Sequence, residues 1–404
     1  MKLEVRPCAS TEEYMAATSA IEQYAGEEVD AGRAGRYLRL LPLERMHAAF
    51  DDGRVVGGAG AHTFDLSVPG GRVACAGITA VGVYPTHRRR GVLRALMRAQ
   101  LDDVRARGEP LAALWASEET IYERFGYGVA SWSGEITAPR DRGQFAHPLD
   151  RRGTIRLVEA DEAGALLPPI WDELRAQRPG VFSRSPVWWE LRVIADRAER
   201  RDGAGPKRFV VAERDGDVRG YAIYRHKPRW NQGVAAGELR VWEAIGADPQ
   251  ATAELWRYLL DVDWTATIHA GMLPPDHPLF LLVAEPRRLR YRRGDGLWVR
   301  LVDVEAALTA RTYASGEPVV LELGDAFCPW NEGRWRLAAG EAARTDEEPD
   351  LRLDAAALGS AYLGGISFRE LADALRVEEL RPGALERADA IFRAAAHPWC
   401  PEIF

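Results

Sequence analysis

The sequence has little of what would tie a protein to a membrane, a metal or an oxidising compartment. Charged residues interrupt every long apolar run, well short of the ~20 residues that a membrane-spanning helix needs. The N-terminal stretch Met1-Lys2-Leu3-Glu4-Val5-Arg6-Pro7 has no apolar core of the kind a secretory leader carries. Only four cysteines occur, Cys8, Cys75, Cys328 and Cys400, and none belongs to a Cys-x-x-Cys pair. Such spacing speaks against a disulfide framework and a zinc site, so thiols in a reducing cytoplasmic setting and no bound metal are expected. Net positive charge is missing as well. A formal charge of -7 argues against nucleic acid and anionic membranes as partners and leans towards cationic small molecules or peptides.

What is present is bulk and order. A chain of 404 residues, 47% of them hydrophobic, exceeds what one core supports, so two or three domains are expected. An N-cap and early acids open a helix running from Thr11 to about residue 25, and a short helix follows near Gly35–Leu41. Asp51-Asp52-Gly53 joins the segment before it to Arg54–His62 as a hairpin, because Asp-Gly supplies the positive φ of a tight turn. The mostly apolar Val73–Val83 reads as a central strand. After the basic loop Arg88-Arg89-Arg90-Gly91, a helix carries Leu93, Leu96, Met97 and Leu101 on one face. Leu111–Ala116 reads as another buried strand, and Ser117–Gly126 as a helix capped by Ser117 and ended by Gly126. These elements define a first domain over residues 1–143.

A second domain, residues 144–289, repeats the order. Arg208–Glu213, the turn around Asp215-Gly216 and Val218–Arg225 copy the hairpin, and Gly237–Ala244 and Thr252–Leu260 copy the strand and helix. Asp248-Pro249-Gln250-Ala251 stands where the first domain has its arginines, so this copy is expected to lack that loop. A third domain, residues 290–404, alternates strand-like Leu297–Leu301 and Val319–Leu323 with helices near Val304–Leu308, Phe368–Ala374 and Leu385–Ala394. That pattern is α+β, with the acidic Glu341–Asp350 as a solvated loop.

The basic loop invites a chemical reading. Amides at a helix start, together with the positive end of the helix dipole, favour a pyrophosphate. Glycine lets the backbone approach it, and arginines add charge-assisted bonds. Taken alone, three arginines and a glycine describe a solvated basic helix start equally well.

The context is more specific. Val83-Tyr84-Pro85-Thr86-His87-Arg88-Arg89-Arg90-Gly91 resembles the acyl-CoA loop of the GNAT acetyltransferases, Arg/Gln-x-x-Gly-x-Gly/Ala, with Arg88 and Gly91 on the first two anchors and Leu93 in place of the last small residue. More narrowly, the chain resembles the enhanced intracellular survival (Eis) family, bacterial acetyltransferases of aminoglycosides and other amines. The resemblance covers Pro85–Gly91, Ala116-Ser117-Glu118, Ile121-Tyr122, Arg124–Gly128, Asp295-Gly296-Leu297-Trp298 and Tyr362-Leu363-Gly364-Gly365, spread over nearly the whole chain in order. It implies an α/β (α+β) architecture of an active GNAT domain, a second GNAT-like domain and a sterol-carrier-like domain, assembled as a homo-hexamer. It further implies acetyl-CoA as co-substrate, with Val81, Gly82 and Val83 receiving its pantetheine arm. Arg88, Arg89, Arg90, Gly91, Val92, Leu93 and Arg94 would hold the pyrophosphate, and Ser117 and Glu118 line the same site.

Acetyl transfer to an amine needs a base for the nucleophile and an acid for the departing thiolate. Tyr122 matches the family's acid, and a phenol of pKa about 10 stays protonated at neutral pH. Without the motif, Tyr122 and Tyr127 read as buried aromatic anchors, and Tyr127 is assigned to packing. The resemblance places the base on the α-carboxylate of Phe404. Terminal residues fray by default, but the apolar Ile403-Phe404 end favours docking. Free histidine titrates in a useful range, but neither His62 nor His87 is assigned to catalysis. The function expected is direct acetyl transfer to aminoglycoside-like or polyamine amines. The alternatives are a protein or peptide lysine acetyltransferase, and a lipid-binding scaffold with a vestigial GNAT unit.

Overall fold

The computed structural model describes residues 3–314, 316–338 and 341–404; the first two residues of the N-terminal stretch lie outside them. In the first part of the chain, Ser10 in extended conformation accepts from the Glu13 amide and starts α1 (Thr11–Glu22), with Glu12 and Glu13 on the positive end of its dipole. Asp30 caps α2 (Ala31–Leu38) in the same way. Around them run β1 (Leu3–Pro7), β2 (Met46–Asp51), β3 (Arg54–Val68) and β4 (Gly71–Val83). Asp52 at φ 48 and Gly53 at φ 78 make the expected tight turn between β2 and β3. The basic loop leads into α3 (Val92–Ala106), followed by β5 (Leu111–Leu114), α4 (Glu119–Tyr122) and β6 (Gly128–Val129). Leu96, Met97 and Leu101 are fully buried along one face of α3, joined by Val104, whereas Leu93, expected on that face, is only half-buried.

The middle of the chain contains β7 (Trp132–Pro139), β8 (Thr154–Val158), α5 (Ala160–Gln177), α6 (Pro186–Trp188), β9 (Arg208–Arg214) and β10 (Asp217–Lys227). The short pair β11 (Trp230–Asn231) and β12 (Val234–Ala235) precedes β13 (Gly237–Gly246), α7 (Pro249–Asp261), β14 (Thr265–Leu273), α8 (Leu279–Leu282) and β15 (Arg292–Asp295). Asp215 at φ 55 and Gly216 at φ 88 repeat the tight turn of the first copy.

The last part supplies β16 (Trp298–Leu301), α9 (Val304–Thr309), β17 (Val319–Gly324), β18 (Gly333–Ala338), β19 (Glu341–Arg344), β20 (Leu351–Asp354), α10 (Ala355–Tyr362), α11 (Phe368–Asp373), β21 (Val377–Glu379) and α12 (Ala384–Phe392). Strands β17–β21 form a five-stranded sheet in the order β19-β18-β17-β20-β21. The acidic stretch is thus no simple solvated loop. Its start pairs as β19, and buried Asp350 accepts from the Val320 amide at 2.8 Å and from Arg387 at 2.9 Å.

Each seven-stranded sheet takes a strand from an unexpected stretch of sequence. The first runs β1-β2-β3-β4-β5-β16-β6, and the second β15-β7-β14-β13-β10-β9-β8. Corresponding positions, beside β5 and beside β14, are held by β16 and β7. The expected domain breaks therefore shift. Residues Trp132–Pro139, placed before a break at 143, pair with β14, and the strand placed in a third domain, Trp298–Leu301, pairs with β5 and β6. By compactness the chain divides at Ser131/Trp132 and Gly296/Leu297. One unit holds residues up to Ser131 with Leu297–Ala395 and Ile403–Phe404, the other Trp132–Gly296 with Ala396–Glu402. All four cysteines are buried and none is joined in a disulfide. No helix among the described residues is long and apolar enough to cross a membrane.

The second unit contains a buried titratable ring. His277 is edge-on to Trp256 at 5.3 Å, and its Nδ1 accepts from the Leu279 amide at 3.1 Å. Burial lowers its pKa to about 3, whereas the unfolded imidazole takes its proton near 6.5. The stability tied to the neutral ring is therefore complete above pH 6.5 and drains as pH falls towards 3. Between about pH 8 and pH 5 the loss comes to about 2 kcal/mol. Urea titrations at the two pH values should show this loss in the wild type. His277→Asn, which keeps an acceptor for the Leu279 amide, should show less pH dependence by that amount.

Candidate active site

The site begins where two parallel strands stop pairing. β4 and β5 pair at Cys75–Leu111, Ala76–Ala112 and Gly77–Ala113. Beyond Gly77, β4 carries a bulge against β3: one extra residue falls between Gly58 and Gly60 pairings, with Ala80 at φ 50. A bulge bends its strand and re-aims the side chains next to it. Val81, Gly82 and Val83 consequently stand on one wall of a cavity of about 860 Å³, with Ser117, Glu118 and Tyr122 among its other walls. Ile21 and Tyr24 also line it, with Thr120, Ile121, Arg124 and Phe125, and the Tyr24 hydroxyl donates to the Val83 carbonyl at 2.9 Å. Sequence reasoning missed Ile21 and Tyr24, because nothing in the pattern of α1 marks its end as facing another strand.

The arginine loop closes the cavity at the start of α3. Arg88, Arg89, Gly91, Val92, Leu93 and Arg94 all line it. Arg89 at φ 61 and Gly91 at φ 86 turn the chain into the helix, and Gly91 as N-cap offers no side chain to the first amides. Arg90 departs from the expected set: its guanidinium leans to Asp51 at 3.9 Å, outside the cavity wall. His87 also lines the cavity, with its ring 2.8 Å from Thr86 Oγ1 and 3.6 Å from the Asp51 carboxylate.

Tyr122 ends α4, a single turn that continues as a 3-10 turn, Glu123–Phe125, to Gly126 in the left-handed region. Ser117 is not the helix cap expected of it. Glu118 holds that position without a side-chain bond, and the Ser117 side chain hydrogen-bonds the Tyr122 phenol instead. Burial raises the Tyr122 pKa above its ordinary value and the Ser117 bond opposes this, so the phenol is a protonated donor at neutral pH. Tyr127 is fully buried, its ring 6.2 Å from that of Tyr122 at 76°.

The glycines after Tyr122 admit residues from the last part of the chain. A Cβ on Gly126 would stand 1.4 Å from Arg300 Nη1, and one on Gly128 1.9 Å from the Ala356 carbonyl oxygen at the start of α10. Phe404 lies apart from the cavity walls. Its ring is 5.3 Å from Phe64 and 6.5 Å from His62, and a Cβ on Gly77 would be 3.1 Å from its Cε2, at the last paired residue of β4. His62 Nδ1 contacts the Leu40 carbonyl at 3.1 Å.

The second copy handles the same features differently. β13 and β14 pair from Gly237–Thr265 to Val241–Ala270. In the gap beyond, Trp399 and Pro401 leave a space of about 10 Å³. Arg184, against the face of Trp171 at 3.3 Å, binds Glu402 at 2.6 Å and Glu243 at 3.2 Å, and Tyr221 donates to Glu243 at 2.7 Å. The start of α7 is filled by Asp248, which accepts from the Ala251 amide at 2.9 Å and pairs with Arg214 at 2.7 Å.

These features define a class. Residues 4–130 and 180–301 match family models described as acetyltransferase (GNAT) domains, and residues 304–401 match a sterol carrier protein domain. The protein is a GNAT acetyltransferase with two GNAT domains and a sterol-carrier-like domain. It is 47% identical to an uncharacterized N-acetyltransferase of Streptomyces avermitilis over 90% of each chain. It is 34% identical to N-acetyltransferase Eis of Mycobacterium tuberculosis over 96% of this chain and 97% of that one. The crystal structure of Eis1 from Mycobacterium abscessus, 36% identical, aligns with a TM-score of 0.86 over 99% of this chain and 100% of that one. The chain belongs to the Eis family of N-acetyltransferases.

The geometry separates two glycines that a motif treats alike. Gly91 has nothing within 4 Å of a Cβ, while Gly126 has Arg300 there. Alanine at Gly91 meets only left-handed strain, about 1–2 kcal/mol, whereas at Gly126 the displaced arginine adds a broken buried pair, about 3 kcal/mol or more. Thermal unfolding should therefore show a clearly lower Tm for Gly126→Ala than for Gly91→Ala.

Proposed function

We propose that the chain binds acetyl-CoA in the 860 Å³ cavity and passes the acetyl group directly to a primary amine of a small polycation of the aminoglycoside or polyamine kind. The observation that carries the reading is the parting of β4 and β5 at that cavity, whose walls bring together three arginines, an uncapped helix start and Tyr122. The residues suit the group. Arg88, Arg89 and Arg94 face the cavity as partners for a pyrophosphate, beside the first amides of α3 at Gly91, Val92 and Leu93. Arg90 supports the loop through Asp51. The backbone of Val81–Val83 offers strand-like bonds to an extended amide arm, and Ser117 and Glu118 flank it.

When bound, acetyl-CoA supplies the thioester acetyl group. Tyr122 holds a proton beside the cavity for a departing thiolate, and the Ser117 side chain bonds its phenol. The α-carboxylate of Phe404, docked through its ring at the base of the splay, is the base of this reading and draws the amine proton away through water. The family's assembly carries the reading to a homo-hexamer in the cytoplasm, which analytical ultracentrifugation reads as six copies per particle.

Mass spectrometry after incubation with acetyl-CoA and a panel of tobramycin, spermidine and a lysine peptide should show acetyl groups on the first two. Acetylation of the peptide alone would replace the substrate assignment, and no transfer to any member would sink the activity. Tyr122→Phe should lower kcat by about 100-fold or more while calorimetric binding of acetyl-CoA stays unchanged. Appending a few residues beyond Phe404 should abolish turnover; full activity of that variant removes the carboxylate from the mechanism.

A further inference from the structure

Behind Tyr122 the sheet carries a charge that stability alone does not explain. Arg300 on β16 is fully buried, and its Nη2 binds both carboxylate oxygens of Asp325 at 2.9 and 2.7 Å. Nη1 donates to the Phe125 carbonyl at 2.6 Å. That carbonyl belongs to the last residue of the helical turn that begins with Tyr122, where carbonyls lack partners of their own and a positive charge meets the negative end of the dipole. Buried ion pairs are often matched in stability by apolar replacements, so they are better explained by the geometry they fix. α4 is one turn long, too short to hold its own shape.

Asp325 opens a loop that reaches a second part of the site. The carboxylate also accepts from the Cys328 amide at 2.9 Å and Asn331 Nδ2 at 3.0 Å, which closes residues 325–331 on themselves. The Phe327 ring then sits 5.0 Å from Phe125 and beneath two guanidinium groups of α3, Arg98 at 4.0 Å and Arg94 at 5.3 Å. Arg98 also donates to the Phe327 carbonyl. Arg94 lines the cavity, and Arg98 does not.

We propose that the loop Asp325–Asn331 of the sterol-carrier-like part is a positioning element of the acetyl-transfer site, setting the Tyr122 turn through Arg300 and the Arg94 guanidinium through Phe327. The proposal rests on the reading of Tyr122 and Arg94 as parts of an acetyl-CoA site. It makes Asp325, Phe327 and Arg300 positioning residues, none of which touches a substrate, and gives the last part of the chain a role in catalysis without a ligand of its own.

The experiment compares Phe327→Leu, Phe327→Tyr and Asp325→Asn with the wild type, each checked for native near-ultraviolet dichroism. Leucine keeps the apolar contact and removes the ring face. Phe327→Leu should therefore raise both KM and calorimetric Kd for acetyl-CoA about fivefold to tenfold, with kcat within about twofold, and Phe327→Tyr should restore both. Asp325→Asn should lower kcat in addition to any rise in KM for acetyl-CoA. If Asp325→Asn does not fold, the leucine–tyrosine pair decides. Unchanged Kd and KM in Phe327→Leu, or failure of tyrosine to restore them, overturns the positioning role while the wild type still binds acetyl-CoA. A wild type that does not bind acetyl-CoA overturns the parent reading and this proposal with it.

Discussion

Two parallel strands that stop pairing leave a row of backbone groups to be satisfied by something else, and the molecule depends on how that is done twice. In the first sheet, β4 and β5 separate after Gly77–Ala113. The bulge at Ala80 turns Val81–Val83 towards a cavity, and Tyr24 takes up the Val83 carbonyl. In the second sheet, the corresponding gap after Val241–Ala270 receives Trp399 and Pro401, with the Trp399 indole donating to the Met272 carbonyl. One opening faces ligand-sized space, and the other is packed like an interior.

Local features of this arrangement were legible in the sequence, and long-range ones were not. Asp52-Gly53 and Asp215-Gly216 announce their turns because positive φ is a property of the residues themselves. The face of α3 follows from spacing, and the basic loop gains its meaning from the resemblance of its neighbours to the GNAT loop. The strand Trp298–Leu301 was legible as a strand, but its neighbours are β5 and β6, about 170 or more residues earlier in a chain whose register no local pattern fixes. The domain breaks at 143 and 289 failed for that reason: β7 and β16 each lie in a sheet other than the one suggested by their place in the sequence. Ser117 reads as a helix cap by composition, and only packing shows that its hydroxyl is spent on Tyr122.

The signature glycines show how a motif can be read correctly and understood late. Gly126 and Gly128 follow the proposed acid, and Gly126 reads from sequence only as the end of its helix. Their neighbours are Arg300, Ala356 and Ser360, so they are the places where the last part of the chain comes up against the Tyr122 turn. Gly364 in the last signature segment is similar: at φ 78, a Cβ there would stand 2.6 Å from the Phe392 carbonyl oxygen. Beside it, Arg311 is buried and has no carboxylate partner among the described residues, donating instead to the Tyr362 carbonyl and, at 2.7 Å, to that of Phe392. Those are the final residues of α10 and α12, so one cation serves two helix ends.

The same electrostatics explains why one copy faces a cofactor-sized cavity and the other does not. Every helix start presents amides and a partial positive charge that some anion or water must meet. At α7 the chain provides its own: the Asp248 carboxylate accepts from the Ala251 amide and is held by Arg214 and Arg219. At α3 it provides none, because the N-cap is Gly91 and the neighbouring Arg88, Arg89 and Arg94 add positive charge to the helix start. Within a chain of net charge -7, Arg88, Arg89 and Arg94 leave that helix start positive beside the cavity, where the start of α7 carries its own carboxylate. At these two corresponding helix starts a carboxylate closes one and a glycine leaves the other open towards the cavity.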